Sequence, residues 1–266
     1  MADYKQRWAK KWALITGASA GIGWAFAEQL AAGGSNLVLT ARRTGRLQNL
    51  AADLSSRYGV QVEVFPADLT HPEAPAAIHT FTTRKEISVE LLVNNAGFGA
   101  FGGIQKIPES RLLEMIQVNC CAVVHLTRLY IQEMVGRRHG DILILASTAA
   151  FQPVPYNSVY AATKAFDLIF AEGIAEEVRR FGVRVCALCP GPTTTEFQEV
   201  AEQPDRMFRV AETADKVARV GLKALAKGKT YVISGAMNKL MVEFERVTSR
   251  RFVARTAGRM MRPADS

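Results

Sequence analysis

The fold is indicated most clearly by residues 12–23, Trp12-Ala-Leu-Ile-Thr-Gly-Ala-Ser-Ala-Gly-Ile-Gly23. The first five of these residues form a short apolar run, and three glycines at spacing G-x-x-x-G-x-G lead into a helical pattern. Glycines allow a tight turn and a close backbone approach to a ligand, and the free N–H groups at a helix start attract phosphate. The stretch therefore predicts a strand, a loop and a helix that bind a dinucleotide. A glycine turn without a ligand is the alternative.

The rest of the chain repeats this alternation of short apolar runs and longer helical patterns. The runs that predict strands are 12–16, 36–40, 60–65, 91–94, 141–146, 183–188 and 231–234. The segments that predict helices are 21–32, 44–58, 72–86, 109–135, 157–181 and 213–226. Strands that are rich in Val, Ile and Leu are typical of a sheet buried on both faces. We therefore predict an α/β fold, a parallel sheet flanked by helices, with its ligand crevice at the carboxyl ends of the strands.

Composition narrows the function classes. The chain has 266 residues, of which 48% are hydrophobic and 22% charged, so it can form a core without disulfides or metal. Cys186 and Cys189 form a C-x-x-C, but they lie in a strand pattern without a second ligand pair, so we expect them to be structural. No signal peptide is visible, and no stretch approaches the ~20 apolar residues that a membrane span requires. We expect a cytoplasmic protein with no metal site.

The net charge of +8 admits nucleic acid, a membrane surface or anionic small molecules as partners. Residues 231–266 contain seven Lys or Arg and three Asp or Glu, so half of the excess lies in the last 36 residues. No recognised nucleic-acid motif is present, and we expect no nucleic-acid partner.

The end of the second predicted strand indicates the cofactor. NAD-binding folds often carry an acid about 20 residues past the glycines, which binds the ribose 2′-hydroxyl. Here the strand ends in Thr40-Ala41-Arg42-Arg43, and two guanidinium groups are suited to a 2′-phosphate. The residues favour NADP over NAD. The alternative is a solvated strand end.

Tyr160 and Lys164 are one helical turn apart and share a face. An ammonium near a phenol lowers the pKa of the phenol, which suits a general acid near neutral pH. Ser147 ends a predicted strand at the edge where ligands bind, and Asn119 lies inside a helical pattern, where its amide needs partners such as a water or a backbone carbonyl. Alone, Tyr and Lys at this spacing are common on ordinary helices. Together the four residues predict a catalytic group.

With these motifs the chain resembles the short-chain dehydrogenases/reductases. The resemblance rests on Thr16–Gly23, Asp68-Leu69, Asn94–Gly97, Asn119, Ser147, Tyr160 with Lys164, and Pro190-Gly191, in this order along the chain. It implies a Rossmann-type, doubly wound sheet of seven parallel strands, a catalytic group of Asn119, Ser147, Tyr160 and Lys164, and no metal requirement.

The resemblance also implies which residues bind the cofactor. The expected residues are Gly17, Ser19, Ala20, Gly21, Ile22 and Gly23 at the phosphates, Arg42, Arg43, Asp68 and Leu69 at the adenosine, Asn95, Ala96 and Gly97 beside its ribose and bracing the central sheet, Tyr160 and Lys164 at the nicotinamide ribose, and Pro190, Gly191, Thr193 and Thr195 at the carboxamide. Ala20 is not basic, so it gives no help to a 2′-phosphate.

The expected function is an NADP(H)-dependent oxidoreductase that reduces a carbonyl to an alcohol. Ser147 and Tyr160 would bind the carbonyl oxygen, Tyr160 would donate the proton, Lys164 would stabilise the phenolate, and Asn119 would hold a water linking Lys164 to solvent. The alternatives are an NAD-dependent alcohol dehydrogenase of the same fold, an inactive dinucleotide-binding or scaffold protein, and a peripheral membrane adaptor acting through its tail.

The substrate side of the site is expected to be apolar. The segment 192–207 should fold over the site as a lid, and Phe98, Phe101 and Phe151 lie near predicted strand ends. These aromatic residues, with Phe197, Val200, Met207 and Phe208, indicate either a pocket for a hydrophobic carbonyl substrate or an ordinary core.

The chain divides into a cofactor-binding and catalytic domain, 1–235, and a basic helical tail, 236–266. In the tail, Leu240, Met241, Phe244 and Val247 fall on one helical face, and Arg251, Arg255, Arg259 and Arg262 then oppose Val253, Ala257, Met260 and Met261. Such a helix can pack on its own domain, form a dimer or lie on an anionic membrane. We favour packing on the domain or an oligomer interface, and a homo-oligomer, either dimer or tetramer.

Overall fold

Seven parallel strands form the central sheet of the computed structural model, which describes residues 4–201 and 211–263. The strands in the described residues are β1 (Trp12–Thr16), β2 (Asn36–Thr40), β3 (Val62–Val64), β4 (Val89–Asn94), β5 (Gly140–Leu145), β6 (Val183–Cys189), β7 (Thr193–Thr194), β8 (Glu212–Thr213) and β9 (Tyr231–Ile233). The sheet order is β3-β2-β1-β4-β5-β6-β9, while β7 and β8 pair separately. This is the predicted Rossmann-type arrangement, and the two short strands β7 and β8 are additions that the sequence did not indicate.

Helices cover both faces of the sheet. They are α1 (Gly21–Ala32), α2 (Thr44–Tyr58), α3 (Ala74–Arg84), α4 (Glu109–Ile116), α5 (Ala122–Gly136), α6 (Ser158–Arg179), α7 (Phe197–Val200), α8 (Ala214–Ala226), α9 (Ala236–Arg246) and α10 (Arg250–Met261). The predicted helix 109–135 is interrupted, because one π-helical turn at Gln117–Cys121 separates α4 from α5. Because helices cover both faces of the sheet, there are two separate cores. One contains α1, α2 and α8, and the other contains α3, α5 and α6.

Alternate strand residues enter opposite cores. In β1, Ile15 packs with the α1 and α8 side and Leu14 with the α3, α5 and α6 side. The same alternation separates Cys186 from Cys189, which are both buried but on opposite faces of β6. Burial raises the pKa of Cys186 to about 12, so this thiol stays protonated at neutral pH. The C-x-x-C spacing therefore does not bring the two sulfur atoms together on one face.

The order of the strands creates a crevice. The connection from β3 through α3 returns to β4 on the other side of β1, so the winding direction reverses between β1 and β4. In open α/β sheets, ligands bind at such a reversal, beyond the carboxyl ends of the strands. The loops after β1, β4 and β5 all meet at this edge.

The helix that includes the π-helical turn is long and apolar. Residues Glu109–Gly136 meet the length and composition expected of a membrane-crossing helix, contrary to our estimate from the sequence. However, 44% of the most apolar stretch is buried inside the chain, and α5 packs against α3, β4 and β5. Length and apolar composition are also found in the core helices of soluble proteins, and here the buried residues contribute to the core of the sheet.

The tail forms two helices, α9 and α10, of which only a few side chains pack on the domain. Val242 and Val253 are buried, whereas Leu240, Met241, Phe244 and Val247 are exposed. Packing of this apolar face on its own domain, one of the two arrangements we favoured, is therefore wrong for these four residues. Asn238 anchors the start of α9, because it packs against Gly191 and its amide donates to the Ser234 carbonyl at 2.7 Å.

Candidate active site

Ser147, Tyr160 and Lys164 meet at the carboxyl edge of the sheet. Lys164 Nζ lies 6.0 Å from the centroid of the Tyr160 ring, one turn away on α6. Ser147 follows β5 and lies close enough to Tyr160 for its hydroxyl to act to lower the pKa of the phenol. The Ser147 hydroxyl also accepts from the Ala149 backbone N–H at 3.1 Å, which caps the short 3-10 turn Thr148–Phe151 and fixes its direction. Three of the four predicted catalytic residues are thus adjacent.

Lys164 has a second partner that the sequence analysis missed. Its Nζ lies 2.9 Å from the Asp167 carboxylate and donates to the Leu145 carbonyl at 2.7 Å. Both members of the ion pair are buried, with side-chain exposures of 4% for Lys164 and 0% for Asp167. The other oxygen of Asp167 has no hydrogen-bond partner among the described residues. A Lys and an Asp at i,i+3 on a helix are a common surface pair, so burial of this one is visible only in three dimensions.

The pKa values of these groups follow from burial and from their mutual charges. Burial opposes the charge of Lys164, but Asp167 and Tyr160 outweigh it and raise the pKa of Lys164. Burial raises the pKa of Asp167 to about 6, with Lys164 acting against it. Burial also raises the pKa of Tyr160, although Lys164 and Ser147 act to lower it. The predicted lowering by Lys164 is present, but burial exceeds it and Asp167 partly cancels it.

Asn119 lies in the π-helical turn, and its amide binds the loop after β4. Its Oδ1 accepts from the Phe98 N–H at 3.1 Å, and its Nδ2 donates to the Phe98 carbonyl and to Thr163 Oγ1, each at 3.0 Å. The expected backbone partner is therefore found. Both N–H groups of the amide are thus occupied, and the expected role of Asn119 in holding a water for Lys164 stays a prediction. Asn119 Oδ1 and Lys164 Nζ nevertheless flank the same residue, Gly97.

The loop after β1 fits a dinucleotide. Gly17 has a positive φ of 66°, and a Cβ at Gly23 would overlap the Gly17 carbonyl oxygen, so both positions need glycine. The N-cap of α1 is Ala20, which makes no side-chain cap hydrogen bond, so the side chains leave the first N–H groups available for phosphate. A cavity of about 500 Å³ opens beside Ser19, Ala20 and Gly21. Ile22, in the first turn of α1, packs against the core and does not line this cavity.

The residues expected at the adenosine are also engaged with one another. Arg42 is exposed and lies 4.0 Å from Asp68, whose carboxylate accepts from the Thr70 N–H at 3.0 Å, while Leu69 is buried. Burial opposes ionisation of Asp68, but the Thr70 and Arg42 contacts prevail and lower the pKa of its carboxyl group.

Arg43 is not free, contrary to expectation. It forms an ion pair with Glu196 at 2.6 Å and donates to Ser19 Oγ at 3.2 Å, and Arg46 binds the same Glu196 carboxylate. Hydrogen bonds from Arg46 and Arg43 lower the pKa of Glu196. Arg46 and Glu196 both line the cavity beside the glycine loop, and neither was singled out in the sequence.

The motifs after β4 and β6 brace the same crevice. Asn95 donates from its backbone N–H to Thr16 Oγ1 at 2.9 Å and from its amide to the Thr16 carbonyl at 2.7 Å, and the Ala96 N–H also donates to Thr16 Oγ1. These bonds join the ends of β1 and β4, as predicted.

The segment after β6 begins Pro190-Gly191 and returns toward the glycine loop. Thr193 is buried and donates to the Gly191 carbonyl at 3.0 Å. The Thr195 side chain packs against Gly21, so this segment reaches the phosphate end of the crevice.

The first part of the predicted lid lies across Tyr160. The Phe197 ring is 5.3 Å from the Tyr160 ring, and the Ala201 carbonyl accepts from the Phe101 N–H at 3.0 Å. Phe98 and Phe151 instead pack against the core, so the predicted aromatic set divides between core and site. Met207 and Phe208 lie outside the described residues.

Comparisons with known proteins agree with this geometry. A model of the short chain dehydrogenase family matches residues 11–206. A very-long-chain 3-oxoacyl-CoA reductase of Pyrenophora tritici-repentis is 32% identical over 218 residues, which are 79% of this chain and 64% of that protein. The chain therefore spans less than two thirds of the length of that relative. Mouse 17-beta-hydroxysteroid dehydrogenase type 3 is 31% identical over 255 residues, 94% of this chain and 81% of that protein.

Solved structures are similar along almost the whole chain. A 7beta-hydroxysteroid dehydrogenase structure has a TM-score of 0.86 at 28% identity and covers 95% of this chain and 98% of its own. A short-chain dehydrogenase from Sphingobium yanoikuyae in complex with NADPH has a TM-score of 0.81 at 30% identity, with coverages of 96% and 98%. One from Burkholderia phymatum in complex with NAD has a TM-score of 0.82 at 26% identity, with coverages of 89% and 92%. With its sheet order, glycine loop and Ser147–Tyr160–Lys164 cluster, the chain belongs to the short-chain dehydrogenase/reductase family.

Proposed function

We propose that this protein is an oxidoreductase that uses NADP(H) to interconvert a carbonyl and an alcohol, and that it reduces a hydrophobic ketone, aldehyde or acyl thioester. The observation that carries the proposal is the cluster of Ser147, Tyr160 and Lys164 beside a glycine loop that fits a dinucleotide. Relatives named for 3-oxoacyl-CoA and hydroxysteroids support a large apolar substrate. The contact of Phe197 with Tyr160 supports it too.

Different groups of residues would hold the cofactor, bind the substrate oxygen and transfer the proton. When bound, the nicotinamide supplies the reducing equivalent, and the glycine loop, Asn95–Gly97 and Pro190–Thr195 would hold the cofactor. Ser147 and Tyr160 donate hydrogen bonds to the substrate oxygen, where negative charge grows. Tyr160 then transfers its proton, and Lys164 stabilises the phenolate. Asn119 positions the loop after β4 through Phe98.

The proposed preference for NADP rests on the arginines at the end of β2. Arg42, Arg43 and Arg46 surround this end, and no acid follows the strand directly. The second candidate is an NAD-dependent dehydrogenase acting in the oxidative direction. It is favoured by the ion pairs that Glu196 forms with Arg43 and Arg46, and by the similarity to an NAD complex.

NADPH oxidation with 3-oxoacyl thioesters, ketosteroids and aldehydes tests the function. We expect Tyr160→Phe to lower kcat by about 100-fold or more, because the proton donor is lost, while the Kd for NADPH stays unchanged. Tyr58→Phe is the matched control, since Tyr58 ends α2, away from the carboxyl edge of the sheet, and the variant should retain most activity. Undiminished turnover by Tyr160→Phe would contradict the assignment.

A further inference from the structure

A cavity of about 560 Å³ lies beside the catalytic cluster, between three segments of the chain. Its walls are the loop after β4, the residues just before Tyr160, and α10 of the tail. This volume is within the range of sites that bind drug-sized ligands. The tail thus contributes a wall to a cavity of the catalytic domain, a role that the sequence did not indicate.

The cavity begins next to Tyr160. A Cβ built on Gly99 would lie 3.5 Å from the Tyr160 ring, and the next residue, Ala100, lines the cavity. On the other side, Val159 precedes Tyr160 and also lines it. The Gly102 N–H donates to the Tyr156 carbonyl at 2.8 Å, which joins these two walls. Tyr160 itself does not line the cavity, so a substrate whose carbonyl reaches Tyr160 would extend into the cavity between Ala100 and Val159.

The two sides of the cavity differ in chemistry. Ile104, Ile107 and Leu112 make one part apolar. The α10 wall presents Arg255 and Arg259, one turn apart, with Arg262 following them. Among the residues that the structure describes, no carboxylate lines the cavity. Within residues 4–201 and 211–263, no ion pair neutralises Arg255 or Arg259.

The fold holds α10 in this place. Val253 is buried, and Gly258 lies against Pro155, with 3.4 Å between a Cβ at Gly258 and the Pro155 ring. Gly258 lies between Arg255 and Arg259 along the helix. Its contact with Pro155 therefore fixes the position of α10 where these two arginines line the cavity.

We propose that Arg255 and Arg259 bind an anionic group of the substrate, a carboxylate or a phosphate, at the end away from its reacting carbonyl. The inference rests on the proposed function, since it assigns the far end of the same substrate. Guanidinium groups bind both anions through charge-assisted hydrogen bonds, and the apolar side of the cavity suits the body that joins the anion to the carbonyl.

Paired substrates test this inference. A ketosteroid carboxylate is compared with its methyl ester, and a 3-oxoacyl-CoA with the 3-oxoacyl thioester of N-acetylcysteamine, which lacks phosphates. We expect Arg255→Gln/Arg259→Gln to lower kcat/KM about tenfold for a charged member and less than about twofold for its neutral partner. Loss confined to the carboxylate pair assigns a carboxylate ligand, and loss confined to the coenzyme A pair assigns a phosphate.

The control and a binding measurement separate this inference from the proposed function. Arg250→Gln/Arg251→Gln removes the same charge from α10 outside the cavity and should leave both members of each pair unchanged. Calorimetric titration of the NADP-loaded protein with the steroid carboxylate and with its ester gives the Kd without turnover. If the protein binds the carboxylate through Arg255 and Arg259 but shows no turnover, the proposed function is overturned and the inference is not. The inference would be overturned if Arg255→Gln/Arg259→Gln affected charged and neutral compounds equally in both measurements. It would also be overturned if the control variant showed the same losses.

Discussion

Lys164 stands between a phenol that it is expected to activate and a carboxylate that opposes this effect. Its ammonium is 2.9 Å from Asp167, which is buried and has no other hydrogen-bond partner in the described residues. The ionisable groups that affect this pair are Tyr160 on the same helix, Cys120 on the π-helical turn and Cys189 on β6. Asp167 is the acid in this set, so above its pKa of about 6 it weakens the field of Lys164 at Tyr160.

Asp167→Asn should therefore shift the pH profile. Without the carboxylate, the phenolate loses a negative neighbour, and the pKa of Tyr160 falls as long as Tyr160 alone keeps Lys164 charged against its burial. The alkaline limb of reduction, where Tyr160 loses its proton before reaction, should move down by about 0.5–1 pH unit. The acidic limb of oxidation should move in the same direction. The measurement is kcat/KM against pH in both directions.

Glu176→Gln is the matched control for this prediction. Glu176 lies on the same helix but is exposed and paired with Arg179, so its removal should leave both limbs in place. If Asp167→Asn lowers activity equally at every pH, Asp167 only supports the structure of α6 and does not tune Tyr160.

Individual site residues differed in how well the sequence predicted them. Tyr160, Lys164 and Ser147 were predictable because helix periodicity and strand ends fix where they lie. Asp167 and Glu196 were not, since their roles depend on which side chains meet across the fold. Glu196 contacts Arg43 and Arg46, about 150 positions earlier in the chain.

Among the elements, the segment before α7 is linked to the start of α2 through Glu196. Its carboxylate binds Arg43 and Arg46, two of the three arginines that we propose for a 2′-phosphate. A phosphate and a carboxylate compete for the same guanidinium donors. Because these contacts are half exposed, the competition should be modest and weaker at high salt.

We expect Glu196→Gln to tighten NADPH binding relative to NADH by about two- to fivefold, because Arg43 and Arg46 are released. Arg43→Gln should change the ratio in the opposite direction. Fluorescence titration gives the Kd of each nucleotide. Glu28→Gln removes a carboxylate that pairs with Arg57 away from the crevice and serves as the control. Equal changes for both nucleotides would show that Glu196 does not discriminate the 2′-phosphate.

The π-helical turn is a feature of an element that the apolar periodicity of the sequence does not predict. The apolar pattern of residues 109–135 predicts a continuous helix, but the structure inserts one wider turn at Gln117–Cys121. Such turns are frequent at functional sites. Here the turn carries Asn119, whose amide reaches both polar groups of Phe98 and thereby links the helix to the loop beside Tyr160.

For the whole molecule, the sheet could be predicted and the position of the tail could not. Buried apolar strands joined by helices leave few parallel topologies, because crossovers are right-handed and glycine loops mark the ligand edge. The tail has a clear helical pattern, but amphipathicity does not say what covers the apolar face.

The described residues include two exposed apolar faces. One consists of Leu113 on α4 with Phe166 and Ile169 on α6, and the other is the α9 face with Leu240 and Phe244. Exposed apolar patches of this kind mark interaction surfaces on soluble proteins. On α9, two cations, Lys239 and Arg246, are balanced by Glu243 and Glu245, so this helix has no net attraction for an anionic membrane. We therefore expect a second copy of the chain, and not a membrane, to cover the α9 face, and we expect the same partner for the face on α4 and α6.

We expect the protein to be a homo-oligomer whose mass falls when either face is charged. Phe166→Glu/Ile169→Glu and Leu240→Glu/Phe244→Glu each place two carboxylates where a second copy would have to bury them, which disfavours association. Light scattering after size exclusion measures the mass, and the Kd for NADPH should remain unchanged in both variants because neither face touches the glycine loop. A wild-type protein that elutes as a single chain would contradict the prediction. Co-flotation with anionic vesicles that is lost only in Leu240→Glu/Phe244→Glu would instead assign the α9 face to a membrane surface.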